Sequence, residues 1–259
     1  MFRAVLTRFL TKWKSYRHRF VPWIALNLSK NEKTLRHVTE RSKDKLVPDE
    51  QVSRTLLHLF QSLHHAGIRC GDDHSTLQSL GFCIDRKPST LPSAGSGVFV
   101  TRGFVPKGAL VSMYPGTVYQ LHEPVLLQSI RNPFVFRCID GVLVDGNDKG
   151  LSRVVFRSCS GRDRVGPFLM SDATWLTDNP RNPLAVGQYV NNCSDERPAN
   201  VCYQEYDVPD GFPVELRRFL PNVNYGHDAQ RPLRCVVLVS LRDITAGEEL
   251  LSNYYTVVQ

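Results

Sequence analysis

The sequence has 259 residues and a mass of 29.4 kDa, a length that suits one substantial domain with an additional segment. The net charge of +7 is concentrated at the N-terminus: residues 1–47 contain 12 Lys and Arg against 3 Asp and Glu, whereas residues 48–259 contain 20 against 22. The basic balance therefore predicts no nucleic-acid surface across the whole domain, and no sequence-specific nucleic-acid binding is expected.

Hydrophobicity and cysteine usage indicate the compartment. No apolar run approaches the ~20 residues that a membrane-spanning helix needs, and no secretory signal is evident. The 7 cysteines are an odd number and form no CxxC pair. Reduced thiols in an intracellular, non-secreted protein are the plain interpretation, with nucleus or cytoplasm against mitochondrion left open.

Residues 1–31 predict a basic amphipathic leader helix. Its apolar positions recur at helical spacing, and cationic residues stand between them, with no acid before Glu32. The apolar set is Phe2, Val5, Leu6, Phe9, Leu10, Trp13 and Phe20. This pattern fits a mitochondrial presequence, a helix that contacts a membrane surface, a helix that binds an acidic partner, or a helix packed on the domain.

Residues 32–80 predict a helical N-terminal extension. Pro48 opens its clearest helix, and Gly67 ends it. The apolar face of this helix consists of Val52, Leu56, Leu57, Leu59, Phe60 and Leu63.

Residues 81–259 predict a mostly β domain. Short runs rich in β-branched and aromatic residues alternate there with Gly, Pro, Asn and Asp. The runs are 97–101, 109–114, 134–138, 141–145 and 234–239. Asp140-Gly141 lies between two of them and predicts a hairpin with a two-residue loop.

The first segment with chemical potential is 93–103, which contains Gly95-Ser96-Gly97 and is followed by Tyr114-Pro-Gly116. Glycines allow a backbone to approach a ligand closely. The segment does not match GxGxxG, since Val100 stands where the third glycine belongs, so no nucleotide site is inferred. Taken alone, a GxG is equally typical of a tight turn.

The second segment is 187–200, in which Asn191-Asn192-Cys193-Ser194 follows an apolar run. Its side-chain amides are suited to bind the amino and carboxylate groups of a ligand, or to satisfy the backbone of a loop. The third segment, 241–255, predicts a strand, a turn and a second strand that ends in Tyr254-Tyr255. The adjacent Glu248 and Glu249 are predicted to be a solvated surface pair.

In combination, the three segments resemble, in order and spacing, the motifs of the SET family of protein methyltransferases over about residues 90–256. The resemblance implies an α+β fold that is mostly β: a SET domain of short β-strands with a knot-like C-terminal crossing, preceded by N-terminal helices. It also implies a protein-lysine methyltransferase that uses S-adenosylmethionine (S-adenosyl-L-methionine) as methyl donor and needs no metal. The expected partner is a protein substrate that presents a lysine side chain.

The resemblance assigns roles to individual positions. Tyr254 matches the catalytic tyrosine, and Tyr114 matches a tyrosine near the methyl-transfer channel. The backbone at Ser96 and Gly97, with the side chains of Asn191 and Asn192, is expected to hold the cofactor.

The sequence also departs from the family pattern. Asn192 replaces the usual histidine, Cys193-Ser194 inverts the usual order, and Asn253 replaces the acid before the tyrosine. No closely spaced cysteines follow Tyr254, so the zinc-binding segment found after the SET domain in some members is not expected. An alternative therefore stays open: a cofactor- or peptide-binding module with little or no turnover.

Overall fold

The computed structural model describes residues 16–18, 20–21, 35–38, 45–66, 73–227, 231–253 and 255–258. Its helices are α1 (Asp49–His65), α2 (Asp73–Leu80), α3 (Leu126–Ser129) and α4 (Gly150–Arg162), with 3₁₀ turns at Thr174–Leu176, Gly187–Tyr189 and Val214–Phe219. Within the described part of the chain, no helix is long and apolar enough to cross a membrane.

Strands dominate from Phe82 onward, which confirms the mostly β prediction. They are β1 (Tyr16–His18), β2 (Phe20–Val21), β3 (Leu35–Val38), β4 (Phe82–Pro88), β5 (Ser96–Val105), β6 (Leu110–Tyr114), β7 (Gly116–Tyr119), β8 (Val135–Arg137), β9 (Leu143–Asp145), β10 (Arg164–Val165), β11 (Phe168–Leu169), β12 (Asn191–Asn192), β13 (Val201–Asp207), β14 (Asn222–Asn224), β15 (Arg234–Ser240), β16 (Ile244–Thr245), β17 (Leu251–Ser252) and β18 (Tyr255–Val258).

Small sheets pack around one main core. Two five-stranded sheets have the orders β12-β17-β13-β15-β6 and β14-β7-β9-β8-β2. A third sheet, β16-β5-β4, carries the Gly95-Ser96-Gly97 segment at the start of β5. β15 supplies an unbroken buried run from Cys235 to Ser240, which is typical of a strand covered on both faces.

Helix α1 forms where the apolar pattern predicts it. Its buried face is Val52, Leu56, Leu59 and Phe60, and the Phe60 ring lies 5.5 Å from the ring of Phe219. The chain before the helix is fixed by the buried side chain of Gln204 on β13. Gln204 Oε1 accepts the backbone N–H groups of Leu46 (2.7 Å) and Val47 (3.1 Å), and Gln204 Nε2 donates to the Val47 carbonyl at 2.8 Å.

The expected knot-like crossing is confirmed at the C-terminal end. β17 runs parallel to β12 and to the start of β13, so it lies between two strands that are joined by residues 193–200. The buried Asn200 anchors the crossing: its Nδ2 donates to Glu249 O at 2.8 Å, and its Oδ1 accepts Leu251 N–H at 2.8 Å. The last part of the domain is therefore threaded through the central segment, an exception to the usual unthreaded connections.

The prediction of a continuous helix over residues 1–31 is wrong for the part of it that the structure describes. Tyr16–His18 pairs with β18, and Phe20–Val21 pairs with β8. Open strand edges offer these residues backbone partners, and tertiary pairing overrides the helical spacing of their side chains. Residues 1–15, 19 and 22–31 lie outside the described residues, as do Cys70 and Tyr254.

The hairpin at Asp140-Gly141 is confirmed, but its loop is longer than predicted. Cys138 N–H donates to Val142 O at 2.8 Å, which leaves Ile139, Asp140 and Gly141 in the loop. Gly141 has a φ of +94°, a left-handed conformation that follows the turn and that glycine adopts readily.

Candidate functional site

The Gly95-Ser96-Gly97 segment is held between β4 and the C-terminal segment. β5 pairs with β4 on one side. On the other side, Leu250 N–H donates to Val98 O at 2.7 Å, and Val100 N–H donates to Glu248 O at 3.0 Å. The first and third motifs are therefore neighbours in the fold, although about 150 residues separate them in sequence.

The second motif reaches the same place. Asn191 Nδ2 donates to the carbonyl of Ser96 at 2.9 Å, and β12 pairs in register with β17, so that Asn192 lies opposite Ser252. The structure thus brings together Ser96, Gly97, Asn191 and Asn192. Tyr254 follows Ser252 by two positions but lies outside the described residues.

A buried carboxylate that the sequence did not single out joins the three motifs. The side chain of Glu249 is fully buried, and it accepts Ser89 O–H at 2.6 Å, Thr90 N–H at 3.0 Å and Asn191 Nδ2 at 3.3 Å. The Thr90 hydroxyl also donates to it, and Arg197 lies 3.6 Å away. Burial acts to raise the pKa of Glu249, but the hydrogen bonds from Ser89, Thr90 and Asn191 outweigh it, and the net shift is downward.

Glu249 also explains why position 97 is glycine. A Cβ on Gly97 would overlap with Glu249 Oε1 and lie 3.0 Å from Cδ of the same side chain. Gly95 differs, because a Cβ there meets nothing within 4 Å, and its φ of +71° is what favours glycine. One glycine therefore serves packing and the other serves backbone conformation.

The predicted solvated pair Glu248-Glu249 is half wrong. Glu248 is partly exposed and pairs with Arg242 at 2.6 Å, which lowers the pKa of Glu248 to about 2. Glu249 is buried. Adjacent residues of an extended segment point to opposite sides, so the two carboxylates could not both face solvent beside a packed sheet. This alternation of side-chain direction could have predicted from the sequence that one of the two carboxylates is buried.

Arg86 and Tyr189 hold the other side of Ser96. Arg86 Nε donates to Ser96 Oγ at 3.3 Å and Arg86 Nη1 donates to Tyr189 OH at 2.8 Å, while the guanidinium lies 4.1 Å above the Tyr189 ring. The Tyr189 hydroxyl donates to Asp148 Oδ2 at 2.7 Å. Burial, and then Asp148, raise the pKa of Tyr189, so its hydroxyl stays protonated at neutral pH.

Tyr114 occupies the core rather than an open surface. It is fully buried, its hydroxyl donates to Phe134 O at 2.6 Å, and its ring contacts Phe136 at 5.5 Å and Tyr203 at 6.2 Å. Its assignment to the methyl-transfer channel stays a prediction.

A cavity of about 750 Å³ borders the site, between the β4–β5 hairpin and the chain around residues 175–189. Its walls include Arg86, Lys87, Arg102 and Tyr189, but none of the four residues predicted to bind the cofactor. Its size is ordinary for a site that takes a small molecule or a peptide side chain.

One cluster has the ligand types of a metal site. Cys138, Asp140 and Glu205 lie close enough to share an ion. However, Arg234 pairs with Asp140 at 3.0 Å and with Glu205 at 2.8 Å, so a guanidinium already occupies the space between the two carboxylates. The cluster is better explained as an ion-pair network than as a cation site.

Sequence comparison decides the family. No family model matches the chain. SET domain-containing protein 9 from Homo sapiens is 56% identical, with 95% of this chain and 96% of that protein covered. The protein of the same name from Pongo abelii is 55% identical, with 87% of this chain and 97% of that protein covered. The chain belongs to this SET-domain family. The recognition of the SET family from the three motifs is confirmed.

Solved structures give a weaker comparison. A ctPRC2 structure in an autoinhibited conformation bound to S-adenosylmethionine is 16% identical, with a TM-score of 0.37, and the match covers 71% of this chain and 16% of that chain. A crystal structure of KRYPTONITE with mCHH DNA, an H3(1-15) peptide and SAH is 15% identical, with a TM-score of 0.34, covering 67% and 23% of the two chains. This chain thus spans less than a quarter of either, and similarity at this level carries no argument about activity.

Proposed function

We propose that this protein is an S-adenosylmethionine-dependent methyltransferase that acts on a protein lysine. The observation that carries the proposal is the 2.9 Å hydrogen bond from Asn191 to the Ser96 carbonyl, which joins two motifs beside the segment that leads to Tyr254. Membership of the SET-domain family supports the same reaction class.

The residues present fit the cofactor. With Asn191 Nδ2 engaged by Ser96 and Glu249, its Oδ1 remains available to accept from an ammonium group. The backbone at Ser96 and Gly97 and the side chain of Asn192 complete the proposed cofactor-binding set. When bound, S-adenosylmethionine would supply an electrophilic methyl group on a sulfonium, and no metal is needed for that chemistry.

The proposed catalytic residues are Tyr254 and Tyr114. A lysine amine must be neutral to attack the methyl carbon, and deprotonating an ordinary lysine at a pH of about 7.4 costs about 4 kcal/mol, since each pKa unit corresponds to about 1.4 kcal/mol. Desolvation in a channel lowers that cost. The Tyr254 hydroxyl would orient the neutral amine in line with the bond that breaks, and orientation is the main requirement of such a displacement.

The role of Tyr254 is tested by Tyr254→Phe. We expect methyl transfer to fall to background and cofactor affinity to stay within about threefold, because the hydroxyl acts on the amine and not on the cofactor. Isothermal titration and a methylation screen with labelled donor measure the two quantities. The matched control is Tyr225→Phe, a tyrosine stacked on Tyr119 at 4.9 Å.

The outcomes separate the candidates. Unchanged transfer in Tyr254→Phe would refute the role of Tyr254. Tight cofactor binding by the wild-type protein, with no transfer to any protein in the screen, would favour the alternative of a binding module. Comparing methyl-lysine across the proteome of cells with and without the active protein would identify the substrate.

We also propose the division into a leader (1–31), a helical extension (32–80) and a SET domain (81–259), in an intracellular protein. The charge of the leader supports contact with import machinery, an anionic membrane surface or an acidic partner. A fusion of residues 1–31 to a fluorescent reporter tests targeting, and diffuse fluorescence would exclude it.

A further inference from the structure

We propose that Glu249 is a positioning residue that fixes the orientation of the Asn191 amide, so that the site selects a ligand end bearing an ammonium group. The inference rests on the proposed function and deepens it. It starts from the fully buried Glu249 carboxylate of the third motif, which accepts from Asn191 of the second motif and lies against Gly97 of the first.

The first step is the hydrogen-bonding capacity of the two side chains. An ionised carboxylate can only accept, whereas an amide has a donor end and an acceptor end. Glu249 Oε1 lies 3.3 Å from Asn191 Nδ2, and the Ser96 carbonyl, also an acceptor, lies 2.9 Å from the same nitrogen. Both acceptors therefore need a donor, which only the Nδ2 end of the Asn191 amide supplies. A flipped Asn191 amide would place Oδ1 against two acceptors.

The second step is the charge state of Glu249. Hydrogen bonds from Ser89 and Thr90 and the nearby Arg197 keep the carboxylate ionised in spite of its burial. A buried carboxylate with this many donors is stable as an anion and is held in one place. The acceptor character that controls Asn191 is thus present throughout the neutral pH range.

The third step is what the fixed amide offers to a ligand. Among the described residues, no donor reaches Asn191 Oδ1, so this oxygen is the polar end that remains for a ligand. It accepts and does not donate. The position therefore favours an ammonium group, which can only donate, and disfavours an ionised carboxylate, which can only accept.

The test compares two ligands that differ only in the amino group: S-adenosylhomocysteine and its desamino analogue. In the wild-type protein we expect the desamino analogue to bind about 10- to 100-fold more weakly, the usual effect of losing a hydrogen bond to a charged group. In Glu249→Gln, the Ser96 carbonyl still faces Asn191 Nδ2 but the anionic acceptor beside it is lost, and we expect the difference to shrink by about threefold or more.

Two further variants complete the test. Glu248→Gln is the matched control, because this neighbouring carboxylate is partly exposed and pairs with Arg242, and it should keep the wild-type selectivity. Glu249→Asp keeps the charge but withdraws it from Asn191, and it should give an intermediate selectivity. It serves as the test if Glu249→Gln does not fold, as judged by a thermal melt.

Each outcome has a distinct meaning. If wild-type protein does not bind S-adenosylhomocysteine, the proposed function fails. If it binds both ligands equally, or if the Glu249 variants keep the full selectivity while Asn191→Ala loses it, the proposed function stands and the role of Glu249 is overturned. A purely structural role for Glu249 would weaken both ligands by the same factor and would leave their ratio unchanged.

Discussion

At the scale of single residues, Gly97 and Glu249 form one unit. The missing Cβ of Gly97 leaves room for the Glu249 carboxylate, whose oxygens accept from Ser89, Thr90 and Asn191. The side chain at one position therefore depends on the absence of a side chain at the other. Neither residue can be changed without disturbing the donors that surround the carboxylate.

Gly97→Ala should destabilise the protein by about 2 to 4 kcal/mol, because the new methyl group overlaps a buried carboxylate that has little freedom to move. Chemical denaturation measures the loss. Gly211→Ala is the control, since a Cβ there meets nothing within 4 Å and no left-handed φ is involved. If the two variants have equal stability, the packing explanation for Gly97 is wrong.

The sequence predicts that three motifs belong together, but it does not predict the side-chain contacts between them. The resemblance to the SET family brought Ser96, Asn191 and Tyr254 into one hypothesis. The burial of Glu249 depends on the crossing of the third motif over the first, a long-range contact that local patterns do not reveal. Glutamate is a residue type that is usually exposed, so the sequence alone predicted a surface position for Glu249, whereas the structure places it in the core.

At the scale of elements, the connection between the helical extension and the sheet depends on Gln204. Its amide satisfies two backbone N–H groups and one carbonyl of residues 46 and 47, directly before α1. The buried Gln204 side chain therefore supplies the backbone hydrogen bonds that a neighbouring strand would otherwise supply to the chain before α1. The docking of α1 on β13 is thus controlled from the sheet.

Gln204→Leu should lower the free energy of unfolding by about 2 to 3 kcal/mol, because it leaves buried backbone groups without partners. Hydrogen exchange should also speed up over residues 45–60. Gln51→Leu, at an exposed position of α1, should change stability by less than about 0.5 kcal/mol. Equal stability of the two variants would show that other contacts hold the helix.

Helix α1 was predictable and the strands near Tyr16 and Phe20 were not. The apolar stripe of α1 is long, and its period matches the buried face. Tyr16–His18 and Phe20–Val21 are short, and each takes its conformation from a strand far away in sequence. Short segments that pair at sheet edges follow their partners rather than their own periodicity.

At the scale of the whole molecule, the threaded crossing should set the pattern of stability. The Leu250 amide donates to Val98 O on β5, and the Asn200 amide donates to Leu251 O on β17, both beside the crossing. We expect them to exchange only through global unfolding, as slowly as amides of the central strand β15. Amides of the exposed β10–β11 hairpin should exchange much faster. Hydrogen exchange followed by mass spectrometry or NMR measures this, and fast exchange at Leu250 would contradict it.

The same crossing has a consequence for biosynthesis. Asn191, Ser96 and most of the domain emerge from the ribosome before Glu249 does. Until that carboxylate and β17 have been released and drawn between β12 and β13, the nascent chain lacks the anion that holds its first two motifs together. The ligand site therefore forms only after the third motif has left the ribosome, as a step that follows the synthesis of the first two motifs.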